Sequence, residues 1–214
     1  MLSRIAATVA VASAFLFGLV TWAVVALSPA GWFGQKWSFE LFDWTSTHAW
    51  VVNLDLVLDF VGGDIILGAV VIVVAAVLFF TRRTAFAIYL LVSAVVSVAL
   101  VSVTKSVVSS SRPPTSGALL EVTSWSYPSG HASAGIAVIG ALGLIVLALS
   151  RSRALRVLGW ALIVLGVMVG VSRLSLGVHW LADVVGGWLL GLAVTSAAVW
   201  LIVLRSHAAR DGDG

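Results

Sequence analysis

Long apolar runs separated by short polar stretches dominate this sequence. A helix needs about 20 residues to cross the hydrocarbon core of a bilayer, and six runs reach or approach that length. They lie at residues 5–27, 65–80, 85–103, 132–149, 157–171 and 181–204. The first run exceeds the apolar core of a cleavable signal peptide, about 7–15 residues, so we expect a permanent helix and not a removed leader. The pattern predicts an all-α fold, a polytopic membrane bundle of six transmembrane helices.

Composition agrees with a membrane protein. Of the 214 residues, 61% are hydrophobic and 10% are charged, whereas soluble domains average about 45–50% apolar and about 25% charged residues. The absence of cysteine excludes disulfides, thiolate catalysis and cysteine metal sites. We expect a single membrane-integral domain over residues 1–206, followed by a disordered polar tail at 207–214.

Basic residues divide unequally between the two sides of the predicted membrane. Eight of the twelve fall on one side: Arg4, Arg82, Arg83, Arg151, Arg153, Arg156, Arg205 and Arg210. Because loops rich in arginine and lysine stay in the cytoplasm, we expect both termini to be cytoplasmic and the protein to be a multi-pass protein of the plasma membrane. The net charge of +3 is then mostly a topology signal, and we expect no nucleic-acid partner.

Residues 28–63 differ from the runs around them, because they hold four of the ten tryptophans and four acidic residues. Tryptophan concentrates at the level of the lipid headgroups, so we predict a Trp-rich interfacial outer loop across one membrane face. Asp55, Asp59 and Asp64 are candidate metal ligands, but no histidine at ligand spacing accompanies them. We therefore favour a solvated helix face for Asp55 and Asp59, and expect no metal and no cofactor.

Three polar segments, within residues 105–131 and 172–183, fall on the side opposite the basic turns. The first, KSVVSSSRP, starts at Lys105 and places Arg112 seven residues later. A helix continued through the serines would carry both cations on one face until Pro113 and Pro114 end it. Arginine and lysine bind phosphate oxygens well; two side chains snorkelling from a helix end are the alternative.

The second segment, YPSGH, forms a turn just before the fourth run. A turn leading into a helix N-terminus presents free backbone N–H groups, which bind anions. Ser129 adds a hydroxyl group, and we expect His131 on the first turn of the helix. The alternative for His131 is an interfacial histidine without a role.

The third segment, SRLSLGVHWLAD, occupies residues 172–183. Asp183 follows His179 by four residues, so on a helix the carboxylate and the imidazole would share a face and could hydrogen-bond. Such a pair fixes which ring nitrogen carries the proton and leaves the other free to attack or to accept a proton. Together with Arg173, the three segments offer permanent cations and histidines, a combination that favours a phosphate or a similar oxyanion.

These segments resemble the three-part signature of the type 2 phosphatidic acid phosphatases, KxxxxxxRP, PSGH and SRxxxxxHxxxD, whose superfamily includes the vanadium haloperoxidases. Every fixed position is matched in order. The resemblance implies a six-span core with its active site at the extracytoplasmic face. It implies that His179 is the nucleophile, that Asp183 fixes its tautomer and that His131 is the general acid. The residues that it implies for phosphate binding are Lys105, Arg112, Ser129, Gly130 and Arg173.

The resemblance further implies a metal-independent lipid phosphate phosphatase, embedded in the bilayer, that acts on a membrane lipid phosphate through a phosphohistidine. We favour a polyprenyl diphosphate such as undecaprenyl diphosphate, with phosphatidic acid and phosphatidylglycerophosphate as alternatives. A lipid phosphotransferase could use the same phosphohistidine. A non-catalytic anion-binding or transport protein is disfavoured because no catalytic residue is lost, and a haloperoxidase because six spans are predicted. The sequence does not predict the oligomeric state.

Overall fold

The computed structural model of the chain describes residues 1–27, 35–114, 120 and 122–211. Within these ranges the protein is all-helical. The helices are α1 (Leu2–Leu27), α2 (Gln35–Ser46), α3 (Ala49–Val61), α4 (Asp64–Phe80), α5 (Thr84–Val108), α6 (Gly130–Ala134), α7 (Ala141–Leu149), α8 (Arg153–Ser175) and α9 (Leu181–Asp211). A π-helical stretch, Gly135–Gly140, connects α6 to α7. The predicted all-α polytopic bundle is thus the architecture that the described residues adopt.

Five helices in the described ranges are long and apolar enough to cross a membrane by themselves. They are α1, α5, α8, the continuous helix Gly130–Leu149 and the part Leu181–Leu204 of α9. The helices α3 and α4 satisfy the same criteria only as a pair, and they are bent by 50° against each other. The described residues therefore contain five candidate spans, or the predicted six if the bent pair counts as one broken span.

The segment predicted as a Trp-rich outer loop contains the two helices α2 and α3, while its residues 28–34 lie outside the described ranges. Trp37, Trp44 and Trp50 are exposed. The helix α2 contacts the start of α9, because the backbone N–H of Leu181 donates to Ser38 Oγ at 3.1 Å. This segment therefore packs against a residue two positions after His179, and its position at the membrane interface stays a prediction.

Close packing around α9 fixes the segment that leads into α6. Gly186 faces the ring of Tyr127, and Gly187 faces the backbone carbonyl oxygen of Ser129; a Cβ on either glycine would overlap these groups. The backbone N–H of Ser129 also donates to the carbonyl oxygen of Asp183 at 2.9 Å. The second and third polar segments are thus held in direct contact at the start of α9.

Candidate active site

A cavity of about 480 Å³ lies where the three polar segments meet. Six of the eight predicted site residues line it: Lys105, Arg112, Gly130, His131, Arg173 and His179. The other two, Ser129 and Asp183, are buried behind its wall. The structure therefore brings the three segments into one site, as the resemblance implies.

His179 and Asp183 form a buried pair, with 3% and 1% of their surfaces exposed. His179 Nδ1 lies 3.1 Å from Asp183 Oδ2. The helical spacing expected for this pair does not apply, because the chain turns at Gly177 with φ of 71° and α9 begins only at Leu181. The contact forms between the turn and the first turn of α9, where Asp183 Oδ2 also accepts from the backbone N–H of Trp180 at 2.9 Å.

The contact between Arg112 and His179 determines which ring nitrogen of His179 carries the proton. Its Nη1 lies 3.1 Å from His179 Nε2, and a guanidinium group can only donate hydrogen bonds. Nε2 must therefore be the unprotonated acceptor, and Nδ1 carries the proton that is donated to Asp183. The lone pair of Nε2 is thus unprotonated, as nucleophilic attack requires. In this structure it accepts from Arg112, so attack on a substrate requires the guanidinium group to turn from Nε2 to the phosphate.

The two cations of the first segment are held differently from the prediction of one continuous helix. That prediction is wrong: α5 ends at Val108, and Ser109 adopts a left-handed conformation with φ of 48°, so the chain leaves the helix before Arg112. Arg112 instead donates from Nε to the carbonyl oxygen of Ser124 at 2.8 Å. Lys105 donates to the carbonyl oxygen of Trp125. Both cations therefore brace residues 124 and 125 at the rim of the cavity.

Burial and positive neighbours determine the charge of these groups. Burial and the nearby Arg173 lower the pKa of Arg112 to about 10, so it stays cationic at neutral pH. Burial, followed by the positive charges of Arg112, Arg173 and Lys105, lowers the pKa of His179 well below its usual value. His179 is therefore neutral at physiological pH, with Nε2 unprotonated.

The second segment places its histidine as predicted. His131 lies on the first turn of α6 and lines the cavity. Ser129 is fully buried, and its hydroxyl oxygen caps α6 by accepting from the backbone N–H of Ala132 at 3.4 Å. The predicted contact of Ser129 with phosphate stays a prediction, whereas its cap visibly fixes the helix that carries His131.

The prediction of a solvated helix face for Asp55 and Asp59 is wrong. Asp55 is only 5% exposed. Asp59 lines the cavity, pairs with Arg173 through Oδ1 and lies 3.2 Å from Nε2 of His131. The physical reason is that α3 packs against α8 at the level of the cavity. Two acids one turn apart on a mostly apolar helix are the signal that the sequence offered, because such acids are costly in a membrane unless they have partners.

Ser126 is a second site residue that sequence reasoning missed. It is fully buried, and its hydroxyl group donates to Asp183 Oδ2. No pattern in the sequence distinguishes it from the other serines of this region.

No group of three or more His, Cys, Asp or Glu side chains that could hold a metal ion occurs among the residues that the structure describes.

Comparison with known proteins places this site in a family. The PAP2 superfamily matches residues 86–207, a range that includes all three polar segments. The undecaprenyl-diphosphatase of Sulfolobus acidocaldarius is 36% identical over 132 residues, which are 59% of this chain and 60% of that relative. The chain thus covers less than two thirds of the relative's length.

A solved structure shares the fold over nearly the whole chain. The crystal structure of a transmembrane PAP2 type phosphatidylglycerolphosphate phosphatase from Bacillus subtilis matches with a TM-score of 0.75. The match covers 93% of this chain and 96% of the other, at 22% sequence identity. Since the family match spans more than half of the chain and contains every residue of the three-part signature, the resemblance is confirmed and the chain belongs to the PAP2 superfamily.

Proposed function

We propose that this protein is a lipid phosphate phosphatase that works through a phosphohistidine at His179 and needs no metal. The observation that carries the proposal is that His179, whose Nε2 accepts from Arg112, lines a cavity together with the cations of Lys105, Arg112 and Arg173. Such cations hold phosphate oxygens and stabilise the charge that develops in the transition state.

The proposed reaction has two steps. In the first, Nε2 of His179 attacks phosphorus, the bond from phosphorus to the lipid oxygen breaks, and the leaving oxygen takes a proton from His131. The Asp183 carboxylate stabilises the positive charge of the phosphorylated ring. In the second, His131 removes a proton from water, the water oxygen attacks phosphorus, and the bonding pair returns to Nε2.

A lipid substrate is supported by the shape of the cavity. Its wall continues along α5 from Lys105 through Ser102 and Val101 to Val98 and Ser97, up to two helical turns further into the span. A headgroup can occupy the cationic end while the tail stays in the membrane. The Sulfolobus relative is an undecaprenyl-diphosphatase, which supports a polyprenyl diphosphate as substrate. The Bacillus protein is a phosphatidylglycerolphosphate phosphatase, which supports phosphatidylglycerophosphate.

The side of the membrane is proposed from charge. The basic turns at Arg82 and Arg83 and at Arg151 and Arg153 lie at the ends of helices opposite the cavity. Because basic loops stay in the cytoplasm, the site faces the extracytoplasmic side of the plasma membrane.

The proposal is tested by phosphate release from the purified protein in detergent with EDTA present. Polyprenyl diphosphate, phosphatidic acid and phosphatidylglycerophosphate are compared side by side. We expect release that EDTA does not reduce, with polyprenyl diphosphate as the best substrate. Release that requires an added divalent metal would contradict the metal-free mechanism. Transfer of labelled phosphate to an added lipid, in place of release, would indicate the phosphotransferase.

A pH profile tests the charge state of His179. Because Arg112 is one of the cations that lower the pKa of His179, Arg112→Gln is expected to let this ring protonate at higher pH. A protonated ring cannot attack, so the acid limb of kcat/KM should move to higher pH in the variant. Both enzymes are measured with the same substrate, whose own ionisation is therefore common to both profiles. An acid limb that stays in place or moves to lower pH would contradict the assignment.

A further inference from the structure

Asp59 is an acidic residue of the cavity that none of the three family segments contains. It lies on the last turn of α3, outside the residues 86–207 that match the family. Its Oδ1 pairs with Arg173 and lies 3.2 Å from His131 Nε2. One carboxylate oxygen thus contacts both a cation and a histidine of the proposed active site.

Two acceptors from this one residue fix the ring of His131. Its Nε2 lies 3.3 Å from the backbone carbonyl oxygen of Asp59, besides the 3.2 Å contact with the carboxylate. Since both oxygens accept hydrogen bonds, Nε2 carries a hydrogen and donates it. No partner among the described residues engages the other nitrogen, Nδ1, which is therefore left to exchange a proton with the substrate.

We infer that Asp59 is a positioning residue that orients His131 for protonation of the leaving oxygen. The inference rests on the proposed phosphatase function. When the bond between phosphorus and the leaving oxygen breaks, its electron pair stays on that oxygen, which takes the proton from Nδ1 of His131. Asp59 keeps the hydrogen bond from Nε2–H, so Nδ1 is left as the basic nitrogen that later activates water.

The end of α3 is built to approach His131 closely. Gly62 follows α3 directly, and a Cβ on it would overlap the side chain of Val169 and lie 3.0 Å from Cδ2 of His131. A larger residue would therefore push the last turn of α3, with Asp59, away from the ring. The site then contains two acid–histidine pairs, Asp183 with the nucleophile and Asp59 with the proton donor.

A simpler role for Asp59 would be to neutralise and hold Arg173. Two substrates of similar size separate the roles, because benzyl phosphate and 4-nitrophenyl phosphate present the same phosphate to Arg173. The 4-nitrophenolate ion leaves readily without a proton, whereas benzyl alcohol is a poor leaving group unless its oxygen is protonated. Loss of proton donation therefore slows the benzyl ester selectively, and loss of phosphate binding slows both esters equally.

The experiment measures kcat/KM of the full-length protein in detergent with both esters. We expect Asp59→Ala, which removes the carboxylate that accepts from Nε2, to lower the value about 100-fold for benzyl phosphate and less than about 5-fold for 4-nitrophenyl phosphate, since general acid catalysis contributes at least about 100-fold. Asp55→Ala is the matched control, because Asp55 is a buried acid one turn earlier on α3 that does not line the cavity. It should leave the ratio of the two rates unchanged.

Equal losses with both esters, or no loss with either, would overturn the inference. Size-exclusion chromatography in detergent shows whether each variant folds. If Asp59→Ala does not fold, Asp59→Glu tests the inference by the same ratio of the two rates, because it keeps the charge but moves the carboxylate relative to His131. A wild-type protein that hydrolyses neither ester nor any lipid phosphate would instead contradict the proposed function itself.

Discussion

Replacing His179 by Asn is expected to lower the rate of phosphate release on the order of 10⁵-fold or more, because loss of a catalytic nucleophile has costs of this size. The asparagine amide group can still donate to Asp183, which accepts from His179 at 3.1 Å, so the buried site keeps a similar hydrogen bond. It offers no basic ring nitrogen that could attack phosphorus. The chemistry should therefore be lost while the fold is kept.

The measurement combines phosphate release with trapping of the intermediate. Wild-type protein mixed briefly with ³²P-labelled substrate and quenched in alkali should retain a labelled phosphoprotein that acid hydrolyses, as phosphohistidine does. His179→Asn should retain no label. His48→Asn is the matched control, because His48 stacks on Trp44 and does not line the cavity. Turnover that survives in His179→Asn would refute the assignment of the nucleophile.

The spans were predictable because hydrophobic length is a property of the sequence itself. The runs at 85–103 and 157–171 correspond to α5 (Thr84–Val108) and α8 (Arg153–Ser175). The helices extend past the apolar runs into polar flanks, since a helix satisfies its own backbone groups whatever side chains it carries. Apolar patterning therefore located these helices but underestimated their lengths.

The site was predictable in its members but not in all of its contacts. Spacing along the chain relates His179 to Asp183, but it says nothing about partners from distant helices. The contact of Asp59 with His131 bridges 72 residues, and that of Ser126 with Asp183 bridges 57. Such contacts depend on how α3 packs on α8 and how the segment before α6 packs on α9, which is tertiary information.

The end of α5 is a local feature that the sequence also failed to predict. Nothing in the run of serines marks Ser109 as the residue that takes a left-handed conformation. Because Pro113 and Pro114 are the clear helix-ending signals, the sequence predicts an end four residues too late. Arg112 reaches His179 through this loop, so the tautomer of His179 depends on a turn that spacing could not reveal.

Replacing Asp183 by Asn is expected to lower kcat about 1,000-fold, in the range that loss of one buried electrostatic contact costs an active site. Oδ2 of Asp183 accepts from Trp180 N, His179 Nδ1 and the hydroxyl group of Ser126. An asparagine oxygen at this position can keep all three hydrogen bonds. The negative charge that stabilises the imidazolium of the proposed phosphohistidine is lost, however. The amide NH2 then occupies the position of Oδ1, which has no partner among the described residues.

The opposite orientation of the amide is no better. If the NH2 group faced His179, Nδ1 would have to accept its hydrogen bond, and the ring proton would then be on Nε2. There the N–H of the ring would face another donor, Nη1 of Arg112, which lies 3.1 Å away. Because Asp183 does not line the cavity, KM should change far less than kcat, and less phosphoprotein should be trapped at early times. Asp55→Asn controls for the loss of a buried carboxylate elsewhere. A rise in KM at constant kcat would show that Asp183 acts on substrate binding and not on the nucleophile.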